Sequence, residues 1–108
     1  MEQVKTALET SFCSVTVSIA NQIVGMGRVV GDGSVYFYIQ DVIVHPDYRG
    51  QGIGRDIVIH LLEQIRSVAT GNCFVGLMAA VGTVDFYEKL GFKKRDDKSP
   101  GMFLRVND

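Results

Sequence analysis

Asp41-Val42-Ile43-Val44-His45-Pro46-Asp47-Tyr48-Arg49-Gly50-Gln51-Gly52-Ile53-Gly54-Arg55 decides how this chain is read. An apolar strand runs into a proline-marked turn, and a glycine-rich segment then opens an amphipathic helix. A helix start leaves its first N–H groups without intrahelical partners and carries the positive end of the helix dipole, so it is a ready anion site. Gly50, Gly52 and Gly54 have no side chains to hold a phosphate away from those amides. Arg49 and Arg55 flank them with mobile positive charge. Three glycines in five residues cost backbone entropy, roughly 0.5–1 kcal/mol each where they enter regular structure. A plain connector has no reason to combine that cost with flanking arginines. The stretch therefore predicts a strand, a phosphate-binding turn and a helix in immediate succession.

Downstream, the helix is expected from about Gly52 to Val68, with Ile57, Val58, Leu61, Leu62 and Ile65 on one face. Gly71-Asn72 ends it, and Cys73–Ala79 reads as a buried strand. Thr83 is placed to cap a helix running to Leu90, closed by Gly91 as a left-handed C′ residue with Phe92 packing back. Phe92–Arg95 and Met102–Val106 read as a final hairpin around residues 96–101. Upstream, Val35–Val44 is one long strand, preceded by the turn signal Gly31-Asp32-Gly33-Ser34. Ile23–Val30 is a strand with Asn21-Gln22 as its hairpin tip. Cys13, Val15, Val17 and Ile19 alternate with Ser14, Thr16 and Ser18, the pattern of a half-buried strand. Val4, Ala7, Leu8 and Ser11 carry the stripe of a short first helix. The order α-β-β-β-α-β-α-β-β describes an α+β chain on a mixed sheet. At 108 residues, 1–108 is expected to be a single domain with one core.

The glycine run fits neither of two familiar phosphate loops. No Gly-Lys-Ser/Thr triplet occurs, which excludes the P-loop. In G-x-G-x-x-G the last position would fall on Arg55, Ile57 or, from Gly25, on Val30. What fits is Q/R-x-x-G-x-G/A, here Arg49-Gly50-Gln51-Gly52-Ile53-Gly54. This resembles the acyl-CoA-binding signature of the GNAT superfamily of N-acyltransferases. Phe86-Tyr87-Glu88-Lys89-Leu90-Gly91-Phe92 is similar to that family's late helix, in which a Tyr is followed by x-x-x-Gly-Phe.

The resemblance implies a GNAT-like mixed, mainly antiparallel sheet with helices on both faces. GNAT domains usually begin with one more strand and helix, so this chain is expected to start at the family's second helix. With the first strand and helix expected to be absent, a sheet edge would be left exposed, and a homodimer covering it is expected. In the family the pantetheine arm lies between two splayed strands. By resemblance, Val42, Ile43 and Val44 would contact it through their main chain. Arg49, Gly50, Gln51, Gly52, Ile53, Gly54 and Arg55 would hold the pyrophosphate of acetyl-CoA. Tyr87 matches the family's acid, a phenolic donor for the leaving thiolate of coenzyme A.

The amine must also lose a proton, because an alkyl amine of pKa about 10 arrives protonated at neutral pH. Some relatives place a carboxylate on the splayed strand just before the apolar triplet, which here means Gln40 or Asp41. Asp41 is an acid in an otherwise apolar strand, so it is either the base or the partner of nearby backbone or of Arg28. Water relays serve in other relatives. Tyr36, Tyr38 and Gln40 share one face of the strand by alternation and are candidate walls of the acceptor pocket.

A formal net charge of −1 gives no polyanion-binding signature, so nucleic acid is not an expected partner. No apolar run reaches the ~18–20 residues that span a bilayer, and a basic-then-apolar leader is missing. Cys13 and Cys73 sit in strand patterns as small buried hydrophobes, which points to a reducing, cytoplasmic setting and away from a covalent cysteine route. No metal is expected. The leading expectation is transfer of an acetyl group from acetyl-CoA to a primary amine, on a small molecule or a peptide, by direct attack in a ternary complex. The alternative is a catalytically silent acyl-CoA-binding or assembly module, or a subunit completed by another chain.

Overall fold

The computed structural model describes residues 11–107. The expected first helix falls on residues 1–10 and lies outside them. The chain divides into two units, the first ending at Met78 and the second beginning at Ala79.

In the first unit, strands β1 (Cys13–Ile19), β2 (Gln22–Gly31), β3 (Tyr36–Val44) and β4 (Phe74–Leu77) form one four-stranded sheet in the order β1-β2-β3-β4. The first two pairings are antiparallel and β3 pairs with β4 in parallel. Helix α1 (Ile53–Val68) makes the crossover between β3 and β4 and lies across β1, β2 and β3. A 3₁₀ turn, Pro46–Tyr48, links β3 to the glycine run. The four strands expected in this unit are present, β4 being shorter than the expected Cys73–Ala79 and only partly buried. The first hairpin tip falls one residue earlier than expected: Ala20 and Asn21 take φ of 52° and 65°, the two left-handed centres of a type I′ turn that joins Ile19 to Gln22.

The core lies between α1 and the sheet. Ile57, Val58, Leu61 and Ile65 on the helix, and Val24, Val29, Phe37 and Ile39 on the strands, are each at most 3% exposed. Leu62 is half-buried at the edge of that face. The helix comes close because β2 presents glycines beneath it. A Cβ on Gly27 would stand 2.5 Å from Ile57 Cγ2 and 3.1 Å from Leu61 Cδ1, and one on Gly25 would stand 3.1 Å from both Ile53 and Ile57.

The Gly31–Ser34 turn is held by one carboxylate oxygen. Asp32 Oδ1 accepts from the N–H groups of Ser34 and Val35 at 2.8 Å and Tyr36 at 3.1 Å. The Val35, Ser34 and Tyr36 N–H groups, in that order, hold the Asp32 carboxyl below the usual carboxylate range.

The second unit contains helix α2 (Val84–Glu88), shorter than the expected 83–90. Its C-terminus is a Schellman motif: Gly91 (φ +100°) donates to Glu88 O at 3.0 Å and Phe92 to Tyr87 O at 3.1 Å. Thr83 holds the N-cap position, but its hydroxyl donates to Ala80 O at 2.7 Å instead of capping. The final hairpin is corrected. A turn forms where Ser99 N–H meets Asp96 O at 2.9 Å, yet its flanks, Phe92–Arg95 and Met102–Val106, form no strand among the described residues. Met102, Phe103, Leu104 and Val106 are 72–89% exposed. A two-stranded ribbon without a third strand or a covering surface is at best marginal in water.

Two outcomes follow from this packing. Gly27→Ala forces a methyl group against the fixed γ-branch of the fully buried Ile57, and urea unfolding should show a loss of about 1–3 kcal/mol. The Asp32 turn makes stability depend on pH with a definite sign. A carboxyl near 3.9 when unfolded and lower when folded stabilises fully above about pH 4 and loses that effect as pH falls through the folded value. The melting temperature of Asp32→Ala should lie below wild type at pH 7, and the gap should narrow on acidification to pH 3.

Candidate functional site

The end of β3 carries an irregularity that alternation does not anticipate. Arg28 pairs with Asp41 across β2 and β3, but the next β2 residue, Val29, pairs with Ile39, so Gln40 is an extra, bulged residue. Past the bulge every side chain changes face. Val42 and Val44 lie opposite Gly27 and Gly25, on the α1 side. Asp41 and Ile43 lie opposite Arg28 and Met26, on the other face, which Tyr36 and Tyr38 share. The grouping of Tyr36, Tyr38 and Gln40 is therefore corrected: Gln40 leaves the set and Asp41 joins it.

Asp41 is engaged there. Arg28 Nε donates to Asp41 Oδ2 at 2.7 Å, and Arg28 Nη1 donates to Ser11 Oγ at 3.1 Å. Of the roles open to Asp41, the ion pair with Arg28 is the one seen. The neighbouring aromatics form a small platform, with Tyr36 and Phe74 rings 6.2 Å apart and Tyr36 64% exposed.

The bulge also sets which backbone groups are available. His45 N–H bonds to Val24 O at 2.7 Å, and the carbonyls of Asp41 and Ile43 each lie 3.3 Å from the Cβ position of the glycine facing them. Residues 41, 43 and 45 thus turn their main chain toward β2. By alternation, Val42 and Val44 turn theirs to the opposite edge. That is the β4 side, where β4 pairs only with Tyr36–Ile39 and stops at Leu77. The two parallel strands therefore part company at the bulge, and Gln40–Val44 runs on with β2 alone. Ile43, expected to offer main-chain contacts with its neighbours, faces β2.

Arg49 Nε reaches back to Val44 O at 3.3 Å, tying the glycine run to the strand end. His45 Nδ1 accepts from Asp47 N–H at 3.1 Å, and its ring meets Tyr48 edge-on at 5.8 Å. Gly50 and Gly52 take φ of +80° and +83°, and a Cβ at either would meet nothing within 4 Å. Gly52 is the N-cap of α1 and supplies no side-chain acceptor, so the N–H groups of Ile53, Gly54 and Arg55 open a helix without a side-chain cap. Left-handed glycines leading into bare helix amides form a cradle open enough for a phosphate group. An open groove of about 330 Å³ adjoins it, with Ile23, Met26, Ile43, Val44, His45 and Arg49 in its walls.

Tyr87 belongs to the second unit. Its ring is held edge-on by Phe86, 4.9 Å away, and Phe92, 5.7 Å away, the latter positioned by the Schellman turn. Burial pushes its phenol above the ordinary value, and burial does the same to the Cys13 thiol on the α1 face of β1. Both stay protonated at neutral pH.

A family model described as an acetyltransferase (GNAT) domain matches residues 11–94. The chain belongs to the GNAT family. An uncharacterized N-acetyltransferase, ycf52, of Pyropia yezoensis is 34% identical over 95% of this chain, and serotonin N-acetyltransferase 2, chloroplastic, of rice is 34% identical over 79%. This GNAT chain spans about 60% of the length of the first of these and 42% of the second. A crystal structure from meticillin-resistant Staphylococcus aureus superimposes with a TM-score of 0.89 at 32% identity, covering 97% of this chain and 79% of that one. A GNAT family acetyltransferase from Streptococcus pneumoniae gives 0.86 at 28%, covering 100% and 81%. The mixed, mainly antiparallel sheet is thus that of the family.

Proposed function

We propose that this chain is an acetyl-CoA-dependent N-acetyltransferase acting on a primary amine. One observation carries the reading: the open cradle of Gly50 and Gly52 at the start of α1 lies beside the stretch of β3 whose outer edge β4 has left. A diphosphate fits the cradle, and an extended amide-bearing arm fits an unpaired strand edge. By name, its relatives include enzymes acting on serotonin and glucosamine 6-phosphate, both amines. Relatives from rice and Arabidopsis are named chloroplastic, so either cytoplasm or plastid is compatible with this reading.

Acetyl-CoA would supply a thioester, and the ammonium form of the amine would first lose one proton to solvent. The neutral nitrogen would then form the new C–N bond as the C–S bond breaks and give up a second proton, and the sulfur would leave as a thiolate. Val42 and Val44 would bind the arm through main-chain groups, and Arg49 to Arg55 the pyrophosphate. By resemblance to the family, Tyr87 would donate to the sulfur. Its phenol is pushed above about 10, whereas the thiol it would generate has a pKa of about 8.5, so complete proton transfer to sulfur runs uphill. Its part is then to donate a hydrogen bond to the forming thiolate, and solvent delivers the proton. With Asp41 Oδ2 engaged by Arg28, water would be the acceptor for the amine proton.

Calorimetry with coenzyme A should show binding, and acetyl-CoA with an amine panel should release free thiol. Tyr87→Phe should reduce turnover by about 10- to 100-fold while sparing coenzyme A affinity; equal activity would remove Tyr87 from the reaction. Binding without thiol release from any amine would turn the reading to a silent module. Among the described residues β1 is an edge strand, which supports a homodimer as part of this proposal. Sedimentation velocity at micromolar concentration should show it, and a clean monomer would exclude it.

A further inference from the structure

We infer that Arg28 and Asp41 clamp the Gln40 bulge of β3, making both positioning residues for acyl-CoA binding, with Asp41 not the base. The inference rests on the GNAT reading of the site. It begins from the register, in which Arg28 and Asp41 are the last matched pair before Gln40 is left without a β2 partner. A charge-assisted bond of 2.7 Å spans the two strands at that point, and the second arm of the guanidinium reaches Ser11. Arg28 is the more buried partner, 16% exposed against 37% for Asp41. Removing the carboxylate therefore strands a largely covered cation, and the pair resists separation.

What the clamp holds is a choice of face and edge. Strand side chains and main-chain groups both alternate with a period of two, so loss of the bulge would turn Val42 and Val44 toward β2 and present Asp41 and Ile43 at the free edge. Arg49 would lose Val44 O, its anchor at the strand end. A pair that fixes the bulge thus fixes both the strand edge and the approach of the glycine cradle, without touching the ligand itself. One carboxylate oxygen of Asp41, Oδ2, is already directed along β2 to Arg28.

The test compares wild type with Asp41→Asn, Arg28→Met, Arg28→Lys and the Asp41→Asn/Arg28→Met double variant. Coenzyme A affinity is read by calorimetry, turnover at saturating substrates by thiol release, and amide exchange of residues 41–44 in the protein without coenzyme A. Each single change should weaken coenzyme A binding about tenfold. The double variant should lose about the same factor, because two residues acting as one unit are not additive. Arg28→Lys, which keeps the charge, should recover part of the loss and serves where Arg28→Met does not fold. Exchange of the Asp41 and Ile43 amides, which face β2, should accelerate about tenfold in the weakened variants. A fall in turnover of a hundredfold or more in Asp41→Asn alone, with affinity intact, would make Asp41 the base and overturn the inference. So would unchanged affinity and exchange throughout. Should wild type fail to bind coenzyme A, the transferase reading falls, while the exchange rates still decide whether the clamp exists.

Discussion

The close approach of α1 to β2 governs the first unit. A helix normally rides above a sheet on a layer of side chains from both, but Gly25 and Gly27 remove the sheet's share beneath Ile53, Ile57 and Leu61. The helix sinks, and its buried row, Ile57, Val58, Leu61 and Ile65, closes against Val29, Phe37 and Ile39 with almost no exposure. Because dense packing leaves little freedom to slide, the depth of the helix also fixes where its first turn stands. The amides of Ile53, Gly54 and Arg55 are thereby set at the exit of β3, a short 3₁₀ turn away from the strand they follow. A phosphate cradle on a loosely docked helix would have to be ordered by its ligand; here the core orders it beforehand.

That arrangement assigns different work to the two faces of the sheet. The α1 face is apolar and carries stability. The other face holds the only ion pair between strands among the described residues, Arg28–Asp41, together with the exposed rings of Tyr36 and Phe74. Charge there is tolerated because both partners keep some contact with water and with each other. Substitutions on the first face should be felt as lost stability, and those on the second as altered chemistry.

Much of this was legible in the sequence, for identifiable reasons. Long periodic signals survive any environment, and α1 with its buried row is one; Gly91 and Phe92 closed α2 as a Schellman motif because that geometry needs only local residues. The glycine cradle was legible because two left-handed positions and a bare helix start leave few alternatives to Gly50 and Gly52. The final hairpin was not, because strands are made by partners and not by their own composition: Met102–Val106 has the residues of a strand and nothing among the described residues to pair with. The N-cap at Thr83 failed for a similar reason, since Ala80 O competes successfully for its hydroxyl.

The bulge at Gln40 shows what alternation can reveal when its phase is followed as closely as its period. Buried positions in β3 fall on odd numbers through Phe37 and Ile39, and the α1 side then passes to the even residues Val42 and Val44. A strand in perfect register would have placed Asp41 beneath Ile57 and Leu61, an unpaired carboxylate in the driest part of the molecule, at a cost of several kcal/mol. Two consecutive polar residues, Gln40 and Asp41, between apolar sets of opposite parity therefore demand one inserted residue. The inserted residue relieves the buried charge and turns Val42 and Val44 toward the edge that β4 has left, so a packing requirement and a candidate binding geometry have the same cause. The change of parity in the sequence thus separates Gln40 from the Tyr36 and Tyr38 set and puts Asp41 on their face, where the register sets it opposite Arg28.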